Sequence, residues 1–172
     1  MTASELAVIS AHDERVEWGI LFSQHYEGAR FPSRMWLEQL QEVAGKVEMK
    51  LCAHLCGGWV RDLAIRGDFS FRETEWWGMF ERVQVNFHAE AHGNLSGLRS
   101  VLEEGGDLKP FVLQVDGVHD KMIRGLVEDF PHLVSPLFDL SGGAGVLPRE
   151  WPQAWTGVMC GYAGGLGAEN VA

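Results

Sequence analysis

Six short apolar runs, separated by longer polar segments of helical pattern, constrain this chain more than any other feature. The runs are VEWGILF (16–22), KLCAHL (50–55), RVQVNF (82–87), PFVLQV (110–115), SPLFDL (135–140) and TGVMCGYA (156–163). Runs of this length bounded by turn residues read as strands. In the interval after the first, Ser33 is placed as an N-cap, and Trp36, Leu37, Leu40 and Val43 or Ala44 recur at helical spacing. Leu95, Leu98 and Leu102 mark a second helix that Gly105 and Gly106 stop, and Met122, Ile123, Leu126, Val127 and Phe130 mark a third. Strand, helix, strand in repetition is the pattern of a parallel α/β fold with right-handed crossovers. No low-complexity segment or composition shift divides the 172 residues, so residues 1–172 read as one domain. Residues 66–80 break the rhythm. They read as an extra loop or helix whose Trp76 and Trp77 pack over a barrel end. Residues 3–12 read as a short helix or a stray strand, not as a further strand–helix unit.

Charge narrows the partners. Fourteen Lys and Arg against 24 Asp and Glu give a net charge of −10, spread along the chain. Phosphate backbones and anionic lipid surfaces repel such a protein, which argues against nucleic acid and membrane as partners. A small phosphorylated molecule remains compatible, because a local group of backbone amides outweighs distant charge. No apolar run approaches the ~20 residues of a membrane span. The opening MTASE has no signal-peptide pattern, and three irregularly spaced cysteines (Cys52, Cys56 and Cys160) suit a reducing compartment. The expected location is the cytoplasm.

Polar residues gather where the runs end. His25 follows the first run, His54 and Cys56 close the second, and Asn86 and His88 the third. Gln114 and Asp116 close the fourth, Asp139 and Ser141 the fifth. Side chains alternate across a strand, so Gln84, Asn86 and His88 share one face, as do Val112, Gln114 and Asp116. Functional side chains at the C-terminal ends of successive parallel strands are the arrangement of a TIM (β/α) barrel, whereas a doubly wound sheet gathers them at one switch point. The recurrence favours a TIM barrel-like fold with about six of eight units.

The fifth and sixth runs carry the sharpest signal. Asp139 ends an apolar strand, where burial favours a protonated carboxyl able to act as a general acid. Gly142, Gly143 and Gly145 follow it, and Gly164 and Gly165 follow the sixth run at the same place. Glycine turns let backbone approach a ligand and present amides that suit phosphate. The AENV after the second turn reads as the first turn of a helix, another anion-favouring feature. Two such turns on neighbouring strands make one phosphate cradle.

At these residues the chain resembles phosphoribosylanthranilate isomerase. LFDLSGGAG is similar to that family's strand ending in Asp before a glycine loop. YAGGLGAENV is similar to its AGGL-x-P-x-NV segment, with Ala168 in place of proline. RVQVNFHAE and WGILFSQHYEGARFPS are similar to earlier family segments. The likeness runs in order from Trp18 to Val171.

The resemblance implies that Asp139 is the general acid of an Amadori rearrangement. It implies that Arg30 meets a substrate carboxylate, and that Gly142, Gly143, Gly164 and Gly165 hold the phosphate. No KICGIT-like strand with the family's basic cysteine precedes Trp18, and no VDVSSGVE-like strand follows. The expected fold is therefore a barrel lacking both ends, and either a partner such as a second copy covers its open edge, or the fold closes with fewer strands, or the chain is a fragment of a longer one. His54, Cys56 and His88 are the candidates to replace the base.

Three functional readings stay open. The first is an isomerase-like binder of a phosphorylated sugar-type molecule, with substrate contacts from Arg30, His54, His88 and Asp116 and no cofactor. The second is a metal-dependent epimerase, since His54, His88, Asp116 and Asp139 resemble the ligand set of ribulose-phosphate epimerase. The third is a barrel that binds a phosphorylated ligand or a partner without catalysis. CAHLC is no zinc site by itself, because residues two apart on a strand stand ~6.6 Å apart.

Overall fold

The computed structural model describes residues 1–25, 28–87, 94–142, 144–167 and 169–170. Six parallel strands form one curled sheet: β1 (Glu17–Phe22), β2 (Lys50–Leu55), β3 (Arg82–Val85), β4 (Phe111–Val115), β5 (Val134–Phe138) and β6 (Gly161–Tyr162). Their spatial order is their chain order, β1-β2-β3-β4-β5-β6. A doubly wound sheet reverses direction at a switch point. This one does not reverse, and it remains open at β1 and β6.

Among the described residues there are five α-helices: α1 (Ala3–His12), α2 (Arg34–Ala44), α3 (Gly58–Arg61), α4 (Ser96–Glu104) and α5 (Asp120–Asp129). The residues 3–12 left open between helix and strand form α1, because Thr2 and Glu5 cap its start reciprocally. Ser33 caps α2 as expected, its Oγ accepting from Trp36 N at 3.2 Å. A π-helical turn, Asp62–Arg66, continues α3 and lies against α4. α1 lies against α2, α5 against β4 and β5, and Arg99 of α4 pairs with Asp129 of α5 at 2.7 Å.

The strand register sorts the two faces. Ile20, Ala53, Val83, Phe111 and Val134 stand in one row, and every one is buried. Leu55, Val85, Leu113 and Pro136 form the next row on that outer face and are also buried. The intervening row is Leu21, His54, Gln84, Val112 and Ser135, half-buried throughout. The helices cover the apolar face, and the concave face carries a mixed polar and apolar, half-buried row. This alternation explains why the runs are not uniformly apolar, as strands covered on both sides would be.

Two segments differ from expectation. Trp76 and Trp77 are both buried within the 66–80 segment. Trp77 meets Phe69 and Phe71, and these rings meet Phe111 and Phe22 of the outer face at 5.5 and 4.9 Å. The 66–80 segment is thus part of the outer layer, built from two 3₁₀ turns, Ser70–Glu73 and Trp77–Met79. β6 is far shorter than the 156–163 run. Pro136 has no N–H to give on the β6 side of β5, so pairing starts only at Leu137 and Gly161. Below that point the chain turns at Gly157 (φ 80°), and Trp155 N donates to the Cys160 thiol at 3.2 Å.

Candidate functional site

The two glycine turns meet. At Gly164 (φ 111°) an added Cβ would lie 3.1 Å from Val146 O, 3.2 Å from Asp139 Oδ1 and 3.4 Å from Ser141 Oγ. At Gly165 (φ 65°) it would lie 3.0 Å from Gly145 O and closer still to Leu147 N. Gly164 and Gly165 therefore both require glycine, by left-handed dihedrals and by contact with the β5 turn.

Asp139 lies between them, buried at 7% exposure. Its backbone N–H extends the ladder to Val115 O. Its Oδ1 accepts from Ser141 Oγ (2.6 Å) and Ser141 N (3.2 Å), and its Oδ2 accepts from Gln114 Nε2 (3.1 Å). Gln114 Oε1 is buried with no hydrogen-bond partner. By alternation from Val112 and Ser135, both residues face the concave side.

The turns differ in what they offer a ligand. Gly142 N, Ala144 N and Gly145 N donate within the β5 turn, to Asp139 O, Ser141 O and Ser141 Oγ. Gly142 is thus a structural turn residue (φ 58°) whose amide is already engaged. Among the described residues, the amides of Gly164, Gly165 and Leu166 make no hydrogen bond within the chain. The expected helix start after them is a turn closed by Asn170, which accepts from Gly167 N at 2.8 Å and donates to Gly165 O at 3.0 Å.

The remaining candidates scatter. His88 and Gly143 lie outside the described residues. Asp116 accepts from Val118 N (3.0 Å) and faces His119 Nδ1 at 3.3 Å, fixing the turn into α5. His119 is buried and stacks on Phe87 with ring centres 5.3 Å apart. Arg30 stands beside Gly19, Ile20 and Leu21, at the β1 margin. Four strand intervals of ~4.8 Å put that margin on the order of 19 Å from β5 along the sheet. The structure thus unites Asp139, Gly142, Gly164 and Gly165, adds Gln114 and Ser141, and leaves Arg30 at the opposite margin.

His54 sits in the middle concave row, where Gln84 Nε2 lies 3.4 Å from its Nε2. Burial first, and the Arg30 charge second, lower its pKa to about 4. Such an imidazole is neutral at pH 7 and holds a proton too weakly to serve as a good general base there. The Cys56 thiol donates to Phe22 O at 3.2 Å. Among the described residues, no three His, Cys, Asp or Glu side chains converge as a metal would require, so His54, Asp116 and Asp139 of the epimerase-like reading do not meet, and His88 lies outside those residues.

The His54 environment has a measurable consequence. The unfolded chain gains a proton as pH falls through ~6.5, and the folded chain gains it only near 4. The stability tied to the neutral ring is present above ~6.5 and is lost as pH falls toward 4. Urea unfolding at pH 7 and pH 5.5 is expected to show a loss of about 1 kcal/mol. His54→Gln should remove that part of the difference, and an unchanged pH dependence in the variant would contradict the assignment.

Comparison with models of known protein families, with curated proteins and with solved structures found no match.

Proposed function

We propose that this chain is a phosphoribosylanthranilate isomerase-like half-barrel that binds a phosphorylated sugar-type molecule at the C-terminal ends of β5 and β6. One observation carries the reading: the two glycine turns touch, with Asp139 between them. The likeness of LFDLSGGAG and YAGGLGAENV to the isomerase segments supports it, as does the parallel sheet in chain order. In this reading the sheet is six units of a (β/α)8 design, and the three free cysteines suit a cytoplasmic setting.

Three consecutive amides, Gly164 to Leu166, are the phosphate donors, a backbone concavity of the kind that binds anions. The sugar lies toward the concave face, where Gln114 and Asp139 stand. The Asp139 carboxyl stands beside those amides, where a general acid for the sugar would be placed. A protonated carboxyl is the form that gives a proton to a ring oxygen.

Thermal unfolding with ribose 5-phosphate tests binding. At a concentration ~100 times its dissociation constant, a ligand stabilises by about 2.7 kcal/mol, a rise of roughly 5–10 °C in Tm for this size. Ribose alone is expected to give no rise. A flat response across a series of phosphosugars would remove the proposal. Turnover of phosphoribosyl anthranilate, abolished by Asp139→Asn, would assign the isomerase reaction. Binding without turnover would assign a non-catalytic role.

A further inference from the structure

The open margin at β1 carries a feature that the glycine turns do not explain. Phe22 O accepts from Cys56 N, so Phe22, Ile20 and Trp18 spend their backbone groups on β2. The alternate residues Gly19 and Leu21 therefore point N–H and C=O away from the sheet. Edge strands are usually blunted by lysine, proline, a bulge or brevity. β1 is EWGILF, six residues in unbroken register with no lysine, proline or bulge, and Met1 and residues 29–33 border it across a groove. β6, at the other margin, is only two residues long.

A groove runs along this edge. One part, about 430 Å³, is lined by Gly19, Ile20, Leu21, Arg30, Phe31 and Trp36. A second, about 370 Å³, continues past Ser23 and shares Leu21, Phe31 and Pro32 with the first. An added strand with its side chains occupies on the order of 160 Å³ per residue, so the first part holds about three residues. That matches the Gly19–Leu21 span. Gly19 is exposed, does not have a positive φ, and its absent Cβ would meet only His54 Cβ at 4.0 Å. Nothing among the described residues requires glycine there, whereas an approaching backbone does. Ser23 Oγ, in the wall, is buried and has no hydrogen-bond partner. Among the described residues Arg30 makes no ion pair, in a chain of net charge −10. An unpaired guanidinium beside free edge amides favours a carboxylate.

We propose that the β1 edge binds an extended peptide segment that carries an acidic residue, by strand addition. The segment's backbone pairs with Gly19 and Leu21, an apolar side chain meets Ile20 and Trp36, and its carboxylate meets Arg30. The inference does not depend on the glycine turns.

Fluorescence anisotropy with labelled acetyl-Thr-Val-Thr-Val-Glu and its Gln counterpart tests it on the full chain. Both peptides are expected to bind, the Glu form about five- to tenfold tighter. Arg30→Gln should erase that difference. Leu21→Pro should erase binding of both, since proline removes only an edge-facing N–H. If Leu21→Pro fails to fold, two peptides N-methylated on alternate amides replace it, and one of the two must lose binding. No saturable binding at millimolar peptide overturns the proposal, as does equal binding of the Glu and Gln forms. So does undiminished binding by the proline variant or by both methylated peptides. A two-chain particle in solution that Leu21→Pro splits also overturns it, because the groove then takes a second copy.

Discussion

Gly97→Ala is expected to lower Tm by roughly 6–12 °C. Gly97 opens the first turn of α4, where that helix crosses the π-helical turn at Asp62–Arg66. An added Cβ would fall 2.7 Å from Arg66 N and from the Ile65 carbonyl carbon, and nearer still to Gly67 N. All three are backbone atoms, so no side chain can rotate to make room. Overpacking costs about 1–3 kcal/mol, and a backbone obstacle places this change at the upper end. About 3 kcal/mol corresponds to that Tm range in a chain of this size. Circular dichroism melts give the answer directly. Gly78→Ala is the control, because its Cβ would meet nothing within 4 Å. A Gly97→Ala protein that melts with the parent would show that the helices do not approach so closely.

Asp139→Ala and Asp139→Asn should part company sharply. Alanine strips the acceptor from Ser141 Oγ, Ser141 N and Gln114 Nε2, in a place where Gln114 Oε1 already lacks a partner. Buried groups left unpaired cost about 1–3 kcal/mol each, so a loss of roughly 3 kcal/mol is expected. Asparagine keeps one acceptor for Ser141 and turns the other atom into a donor. Gln114 can answer by rotating its amide, which presents the idle Oε1 to that donor. The expected cost is below about 1 kcal/mol. Urea midpoints for the pair, and for both changes combined with Gln114→Leu, measure it. Equal destabilisation by alanine and asparagine would show that the Gln114 amide cannot reorient. Near-native stability also makes Asp139→Asn the right variant for separating chemistry from folding.

Local patterns in the sequence carried over well. The KLCAHL run became Lys50–Leu55, Ser33 became a true N-cap, and Leu98 and Leu102 became the buried side of α4. Each depends on neighbours within a few residues, so periodicity reveals it. The sixth run misled because its fate is decided by Pro136 on another strand, which denies it a hydrogen-bond donor. The 66–80 segment was opaque for the same reason: its aromatic residues answer to Phe22 and Phe111, distant in sequence. At the site, the meeting of the Asp139 and Gly164 turns followed from adjacent strands. The engagement of Gly142 and Gly145 amides inside their own turn did not, because it depends on dihedral angles. Gln114 was within reach of sequence reasoning, since alternation from Val112 sets it beside residue 139 on the next strand. Arg30 was not, because the path of the loop between β1 and α2 leaves no trace in spacing.

The match between strand order and chain order bears on how the protein is made. Each new strand finds its partner in the one synthesised just before it, so no pairing waits for a distant later segment. Each pairing, such as Ile20 with Ala53, spans one strand–crossover unit, the least separation that parallel neighbours allow. As the chain leaves the ribosome, the sheet can lengthen from β1 toward β6 by successive docking, one strand and its cover at a time. The growing margin is always the most recent strand, and it is hidden as soon as its successor emerges. Among the described residues, the outer sides of β1 and β6 are the two margins that this successive docking leaves uncovered.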